Sequence, residues 1–187
     1  MKVAETGYWI RDESEENFHR YSERLAAWLV GYFKGCENQP LYDLGCGLGK
    51  YLEAFHKAGF EKAIGFEGAP LNPLPFITVQ DLAQRFEIAE PSNCVCLEVM
   101  EHIPAEYTNA AIDNLARGCK GRLVMSWAVP GQGGLGHVNE LPNDEAIAKM
   151  ERAEFLYLPS ATLAARVSMG KDDPCHWFAN TLLVFRK

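Results

Sequence analysis

The chain of 187 residues carries a formal net charge of −7, with 48% hydrophobic and 23% charged residues. This length and apolar content can bury one sizeable core, so we expect a single domain over residues 1–187, with a core from residue 41 preceded by a segment of residues 1–40. The acidic balance excludes DNA as an expected partner and disfavours RNA, because no basic surface is evident. The sequence shows no apolar leader and no apolar run of membrane-spanning length, which predicts a cytoplasmic protein without a membrane partner.

Cysteine spacing indicates neither a zinc site nor a disulfide framework. We therefore expect free, mostly buried thiols in a reducing compartment. The cysteines are Cys36, Cys46, Cys94, Cys96, Cys119 and Cys175.

The N-terminal segment is predicted to form one amphipathic helix. Asp12 and Glu15 can form a capping box at its start, and Tyr8 and Trp9 precede it outside any periodic element. Apolar residues then recur at helical spacing. They are Phe18, Tyr21, Leu25, Trp28, Leu29 and Tyr32.

Residues 41–49 indicate a buried strand that ends near an acid and is followed by a glycine turn. Gly45, Gly47 and Gly49 alternate, which lets the backbone adopt positive φ and pass close beneath a ligand. Asp43 precedes the first glycine by two residues, unlike the G-x-G-x-x-G loop that binds a pyrophosphate. A carboxylate there suits a ligand that presents a cation, as the ammonium and sulfonium groups of S-adenosylmethionine (SAM) do.

Two further strand ends carry acids. Residues 62–67 form a predicted strand that closes on Glu67, at the distance from the first glycine where a Rossmann-type sheet places the acid for the ribose hydroxyls. Residues 76–80 form a third predicted strand, followed by Asp81 and Leu82. The acids therefore recur at one predicted edge of the sheet.

The remaining elements complete an α/β pattern. Three prolines within residues 70–75 and a short link over residues 83–92 leave no room for two of the crossover helices, so we expect a sheet that is reduced in the middle. Alternating strands and helices with a terminal antiparallel strand predict an open, mostly parallel sheet with helices on both faces. The other predicted helices are residues 50–58, ended by Gly59, 105–117 and 144–153, capped by Asn143, and the other predicted strands are residues 93–97, 121–127, 155–158 and 181–185.

The D-x-G-x-G-x-G turn at residues 43–49, the acid Glu67 and the segment Glu98-Val99-Met100-Glu101-His102 occur in the order typical of one family. The chain resembles the class I SAM-dependent methyltransferases. The resemblance implies a Rossmann-like fold, SAM as cofactor and S-adenosylhomocysteine (SAH) as product. The cofactor-binding residues that it implies are Asp43, Gly45, Cys46, Gly47, Gly49, Glu67, Gly68, Asp81, Leu82, Leu97 and Glu98.

The glycine-rich loop after residue 127 carries the predicted chemistry. His137, Asn139 and Glu140 are clustered there, and a histidine is a natural general base for a hydroxyl acceptor. His137 is the predicted base, and His102 and Glu101 are further catalytic candidates.

The same region and the aromatic residues indicate an acceptor class. Residues 126–139 resemble small sugar O-methyltransferases of viral and bacterial glycan loci, such as the methyltransferase domain of a chlorella-virus glycan enzyme. This implies methylation of a sugar or glycan hydroxyl, with the N-terminal segment as a lid that includes Arg20. The predicted acceptor-binding residues are Tyr8, Trp9, His19, Asn139 and Trp177.

Other interpretations stay open. Glu98, Glu101 and His102 also resemble the E-x-x-E-H divalent-metal cluster of ubiquinone-pathway and small-RNA 2′-O-methyltransferases, with His137 as a further ligand, which would suit Mn²⁺, Fe²⁺ or Zn²⁺. The acceptor could then be another small molecule or an RNA end. A third interpretation is a SAM-binding subunit without catalysis that docks a partner. The number of assembled chains is left open.

Overall fold

A computed structural model describes residues 2–10, 19–70 and 74–187. The elements in chain order are β1 (Lys2–Val3), β2 (Trp9–Ile10), α1 (Glu23–Phe33), β3 (Leu41–Leu44), α2 (Lys50–Lys57), β4 (Ala63–Glu67), β5 (Ile77–Val79), β6 (Ser92–Cys96), a 3-10 turn (Ala105–Tyr107), α3 (Thr108–Gly118), β7 (Cys119–Ser126), α4 (Asn143–Arg152), β8 (Leu156–Tyr157), α5 (Pro159–Ser168), α6 (Phe178–Thr181) and β9 (Leu182–Arg186).

The central sheet has seven strands in the order β5-β4-β3-β6-β7-β9-β8. The five strands from β5 to β7 run parallel, whereas β9 runs antiparallel to both β7 and β8. This confirms the predicted open sheet with an antiparallel C-terminal strand. Because β3 is flanked by β4 on one side and β6 on the other, the order of the strands reverses beside β3, and such a reversal opens a crevice at the C-terminal strand ends.

Helices cover both faces of the sheet. Alternate residues of β6 serve opposite layers: Cys94 and Cys96 pack in the core with α3 and α4, and Val95 packs in the core with α1, α2 and α5. This alternation follows from the two-residue period of a strand that is buried on both sides. The described cysteines are all free, and Cys36 is the one that is not buried.

The predicted reduction of the middle of the sheet is confirmed. The described residues between β4 and β5 and between β5 and β6 contain no helix. As a result the edge strand β5 is thinly covered, and the side chain of Val79 is 58% exposed. No described helix has both the length and the apolar character that crossing a membrane requires.

The N-terminal helix is shorter than predicted. Residues 19–22 are not helical, and α1 begins after Ser22, whose hydroxyl accepts a hydrogen bond from the amide of Leu25 at 3.0 Å. Serine is a strong N-cap, so it starts the helix wherever the chain allows. The predicted cap at Asp12, with Glu15 and Phe18, lies outside the described residues.

The capping prediction for α4 is wrong in register. Asn143 is the first helical residue rather than the cap, and Pro142 holds the cap position without a side-chain hydrogen bond. Thr181, predicted as strand, belongs to α6. In both cases the end of an element is shifted by about one residue. Element ends are the part of a helix or strand that a sequence pattern determines least.

Helix α5 was not predicted, and its burial pattern explains why. Leu163 and Val167 are exposed, at 63% and 74%, whereas the polar Thr162 is buried. The Thr162 hydroxyl accepts a hydrogen bond from the amide of Val184, and Arg166 donates to the carbonyl of Leu182. The polar residues therefore face the sheet, which inverts the usual helical pattern. Pro159 at the helix start was the available signal.

Candidate active site

A cavity of about 670 Å³ opens at the C-terminal ends of β3, β4 and β6. It brings together most of the residues that the sequence singled out. Those that line it are Tyr8, Trp9, His19, Arg20, Asp43, Gly45, Cys46, Gly47, Glu67, Gly68, Asp81, Leu82, Leu97, Glu98, His102, His137 and Trp177.

Three of the predicted residues lie off the cavity wall. Gly49 is the N-cap of α2, with a φ of 76°. Glu101 is fully buried behind the wall. Asn139 is also buried, and its side-chain amide lies within hydrogen-bond distance of the carbonyls of Met100 and Ile103 and the hydroxyl of Thr108. Asn139 therefore anchors the glycine-rich loop to the segment that follows β6.

The glycine turn after β3 has no space for side chains. A Cβ at Gly45 would lie 2.3 Å from the side chain of Val99, and one at Gly47 would lie 2.5 Å from the ring of His19. Both residues have positive φ, which glycine adopts without strain. Glu67 braces this turn, since its carboxylate accepts a hydrogen bond from the amide of Gly47 at 2.8 Å.

Asp43 is the most deeply buried of the acids that line the cavity. It is 2% exposed, and burial, followed by the nearby Glu67 carboxylate, raises its pKa to about 7. A cation bound beside Asp43 would favour the ionised form, because an opposite charge counteracts desolvation. The buried carboxyl is therefore suited to a positively charged ligand.

The N-terminal hairpin of β1 and β2 lies across the cavity. The hydroxyl of Thr6 donates to the carboxylate of Asp81 at 2.8 Å. A Cβ at Gly7 would lie 2.1 Å from the carbonyl oxygen of His102, and one at Gly68 would lie 2.7 Å from the side chain of Tyr8. The absence of side chains at Gly7 and Gly68 thus allows the hairpin to pack closely against the cavity wall.

Glu98, at the end of β6, has an unusual backbone and a satisfied side chain. Its φ is 53°, a left-handed conformation that costs free energy in a residue other than glycine and is concentrated at functional sites. Its carboxylate accepts hydrogen bonds from the Ser126 hydroxyl at 2.7 Å and the Gln132 amide at 3.1 Å. Burial raises the pKa of Glu98, and these hydrogen bonds oppose the increase. Sequence reasoning missed Ser126 and Gln132 as site residues.

Two histidine rings and an indole pack edge to face on the cavity wall. The ring of His102 packs edge-on against Trp9, with centroids 5.2 Å apart, and against His137, with centroids 4.9 Å apart. Burial, followed by the neighbouring His137, lowers the pKa of His102 to about 4. His102 is therefore neutral at physiological pH.

Glu101 lies behind these rings. Among the described residues, neither of its carboxylate oxygens has a hydrogen-bond partner. The backbone amides of Glu101 itself and Ala128 lie near this carboxylate and favour its ionised form, but they make no hydrogen bond of normal geometry with it. Burial, followed by the charge of Glu98, raises the pKa of Glu101 well above its usual value. One ligand atom each of Glu101, His102 and His137 lie within 4.8 Å of one another, a set that could hold a metal ion.

His137 is paired with Glu140. Its Nδ1 lies 2.9 Å from a Glu140 carboxylate oxygen, and this hydrogen bond is the main reason that the pKa of Glu140 is lowered. An ionised carboxylate only accepts hydrogen bonds, so Nδ1 carries the proton of the neutral ring. The lone pair of the neutral imidazole is then on Nε2, which can accept a proton.

The comparisons with known proteins identify the fold. Protein-family models and curated proteins gave no match to the sequence. Among solved structures, the sugar N-methyltransferase KedS8 from Streptoalloteichus sp. ATCC 53650 matches with a TM-score of 0.63 and 14% identity, over 97% of this chain and 99% of that chain. The methyltransferase domain of bacterial CtHen1 matches with a TM-score of 0.59 and 18% identity, over 88% and 98% of the two chains.

A third structure carries the cofactor. Magnesium protoporphyrin IX methyltransferase (ChlM) from Synechocystis PCC 6803 with bound SAM matches with a TM-score of 0.57 and 19% identity, over 86% of this chain and 76% of that chain. The chain has the Rossmann-like fold of SAM-dependent methyltransferases. This confirms the predicted fold class.

Proposed function

We propose that the chain is a SAM-dependent O-methyltransferase that methylates a hydroxyl of a sugar or glycan, with His137 as the general base. One observation carries the proposal. A single cavity joins the acidic strand ends, at Asp43 and Glu67, to the His137 ring. A cofactor and an acceptor can therefore meet inside it.

The cofactor end has a group for each part of SAM. Asp43 would attract the ammonium and sulfonium charges, and Glu67 would bind the ribose hydroxyls. Asp81 and Leu82 would contact the adenine, and Leu97 with Glu98 would border the methionine part. The similarity to ChlM, which was crystallised with SAM, supports the same cofactor here.

The acceptor end supports in-line methyl transfer. The acceptor oxygen attacks the methyl carbon, the sulfur–methyl bond breaks with its electron pair on sulfur, and SAH leaves. The hydroxyl proton passes to Nε2 of His137, and Glu140 stabilises the resulting imidazolium. The protein mainly aligns the reactants and excludes water, a task for which the hairpin over the cavity is suited.

The wall at this end supports the proposed acceptor class. Trp9 and Trp177 offer flat apolar faces, and His102 is a neutral polar group beside them. Aromatic rings that pack against C–H faces, with polar groups nearby, are suited to a sugar. The similarity to the sugar N-methyltransferase KedS8 is consistent with a sugar acceptor.

Calorimetry tests the cofactor, and a transfer assay tests the acceptor. We expect micromolar binding of SAM and SAH, no binding of NADH as a control for a generic nucleotide site, and tighter SAM binding when a suitable glycoside is present. Radiolabelled SAM with a panel of glycosides and nucleotide sugars should then label the acceptor. A folded protein that binds neither SAM nor SAH would contradict the proposal.

The cluster of Glu101, His102 and His137 favours a second candidate, metal-assisted methylation of another small molecule or an RNA end. The donor set fits a metal: one carboxyl with unpartnered oxygens, and two rings whose Nδ1 atoms are held by Gly136 and Glu140, which leaves both Nε2 atoms as ligands. A metal bound there would polarise the acceptor hydroxyl and lower its pKa. The predicted fourth ligand, Glu98, is instead bonded to Ser126 and Gln132.

Nε2 of His137 cannot be both a metal ligand and the proton acceptor, so chelation separates the two candidates. Under the leading proposal, activity is unchanged after EDTA treatment and on addition of Mn²⁺ or Zn²⁺. Loss of activity with EDTA, restored by one of these ions in the wild type but not in Glu101→Gln, would favour the metal-assisted reaction.

A further inference from the structure

One carboxylate organises the glycine-rich loop between β7 and α4. Glu140 accepts hydrogen bonds from the amides of Gly131 at 2.8 Å and Gly133 at 2.7 Å, and from Nδ1 of His137 at 2.9 Å. Gly131 and Gly133 have φ values of 88° and 67°, which turn both amides toward one acceptor. Two backbone amides that converge in this way bind an anion, and here the anion is a carboxylate of the same chain.

The first consequence concerns the tautomer of His137. A neutral imidazole has one N–H and one lone pair, and either nitrogen can carry the proton. The Glu140 carboxylate can only accept, so it selects the ring with the proton on Nδ1. That choice leaves Nε2 unprotonated, as a general base requires.

The second consequence concerns the residue between the two bonded glycines. Gln132 donates from its side chain to the Glu98 carboxylate at 3.1 Å. Its side-chain carbonyl oxygen is buried and has no partner among the described residues. Because Glu140 holds the amides on both sides of Gln132, it also sets where this side chain meets Glu98.

We infer that Glu140 is a positioning residue that holds His137 in the Nδ1–H tautomer and holds Gln132 against Glu98. The part that concerns His137 rests on the proposed function. Glu140 does not itself line the cavity. It acts through the base and through the loop, unlike Asp43, Glu67, Asp81 and Glu98, which line the cavity.

The tautomer can be measured without any substrate. The chain has five histidines, and long-range ¹⁵N–¹H NMR of histidine-labelled protein distinguishes the two tautomers, with His137 assigned from its loss in His137→Gln. We expect the wild type to show only the Nδ1–H form of neutral His137. A wild-type ring with the proton on Nε2 would overturn the inference, whatever the activity.

Glu140→Ala then tests whether the carboxylate is the cause. We expect the Nε2–H form to appear in this variant and methyl transfer to fall by about 100-fold or more, the scale of a lost general base. SAM affinity should stay within about twofold, because Glu98, which borders the proposed methionine position, keeps its hydrogen bond from Ser126 when Gln132 is released. Glu145→Ala, at an exposed acid at the start of α4, is the matched control and should change neither quantity.

Two further measurements exclude a merely structural role. Glu140→Asp keeps the carboxylate and should keep the Nδ1–H tautomer, and added formate should partly restore activity to Glu140→Ala but not alter Glu145→Ala. An unchanged tautomer in folded Glu140→Ala, or full activity with the tautomer switched, would overturn the inference. Failure of the wild type to bind SAM would instead contradict the proposed function and leave the tautomer result standing.

Discussion

The two ends of the cavity use their carboxyl groups in opposite ways. At the cofactor end, Asp43 is buried with a pKa raised to about 7 and faces the cavity. Beside the acceptor end, Glu140 accepts three hydrogen bonds from its own loop, and Glu98, where the two proposed ends meet, accepts two side-chain hydrogen bonds. Asp43 is thus available to a ligand, whereas Glu98 and Glu140 order the structure around them. Glu67 and Asp81 combine both properties, because they line the cavity and also accept hydrogen bonds from Gly47 and Thr6.

This difference distinguishes acids that bind a ligand from acids that position other groups, because removal of each kind has a different effect. Removal of a group that awaits a ligand should cost binding and little stability, because its burial is unfavourable until the ligand arrives. Removal of a group that orders a loop or selects a tautomer should cost turnover without loss of cofactor affinity. The predictions below test this separation.

The largest effect is expected at His137. His137→Ala should lower methyl transfer by about 10²–10⁴-fold, because the acceptor proton has no base to receive it. SAM affinity, measured by calorimetry, should be nearly unchanged. His56→Ala is the control, since His56 bonds the carbonyl of Ala63 and lies off the described cavity wall. Turnover that survives in His137→Ala would contradict the proposal that His137 is the general base.

The next effect is expected at Asp43. Asp43→Asn should weaken SAM binding by about 10–100-fold, the scale of a lost hydrogen bond to a charged group. SAH, which has no sulfonium charge, should lose less. Unfolding of the ligand-free variant by urea should show no loss of stability at pH 8. Equal losses for SAM and SAH would show that Asp43 does not respond to the sulfonium charge.

The pH dependence of SAM affinity follows from the same group. Below a pKa of about 7 the carboxyl of Asp43 is protonated, so binding a cation must release a proton. Affinity should therefore rise from pH 5.5 to about 7, by up to about tenfold per pH unit, and level off above. Calorimetry in buffers of different ionisation heat measures the released proton, and Asp43→Asn should abolish the dependence.

Stability of the ligand-free protein should change with pH in the opposite direction. The folded-state pKa of Asp43 is raised from its usual value of 3.8 to about 7, so the folded chain binds more protons between these two pH values. The contribution of Asp43 to stability is therefore lost as pH rises through the window. Denaturant unfolding at several pH values, compared between the wild type and Asp43→Asn, isolates this contribution.

The smallest effect is expected at the hairpin. Thr6→Val removes the hydrogen bond to Asp81, and a single such bond is worth about 0.5–1.5 kcal/mol. SAM should then dissociate several-fold faster in stopped-flow measurements, because the hairpin covers the cofactor less firmly. Thr78→Val, at an exposed threonine of β5, is the matched control. An unchanged dissociation rate would exclude this contact as part of a lid.

Most of the residues predicted for cofactor binding line the cavity, and their convergence there was predictable from the sequence. Asp43 lies one residue before the end of its strand, Glu67 closes a strand and Asp81 comes two residues after one, and parallel strands bring their C-terminal ends to one edge. The glycine turn is equally local, because the positive φ at Gly45 and Gly47 is a property of consecutive residues. Strand period and turn chemistry therefore suffice to bring these groups into one cavity.

The acceptor end was predictable only in part. His102 and His137 were singled out from their residue type, but the pairing of Glu98 with Ser126 and Gln132 spans 28 and 34 residues along the chain. No local pattern encodes a contact between two loops at that separation. The burial of Asn139, predicted as a substrate ligand, likewise depends on the packing of its loop against Met100 and Ile103.

The sequence alone was enough to predict the α/β class, the antiparallel C-terminal strand, the acids at the strand ends and the two histidines. These follow from periodicity, glycine spacing and residue chemistry, all of which act over a few neighbouring residues. Three features became evident only in the tertiary structure: the role of Glu140 in selecting the tautomer, the hydrogen bonds of the Glu98 carboxylate, and the hairpin form of the predicted N-terminal lid. Each of these depends on hydrogen bonds or close packing in folded loops, and such contacts exist only once the sheet has assembled.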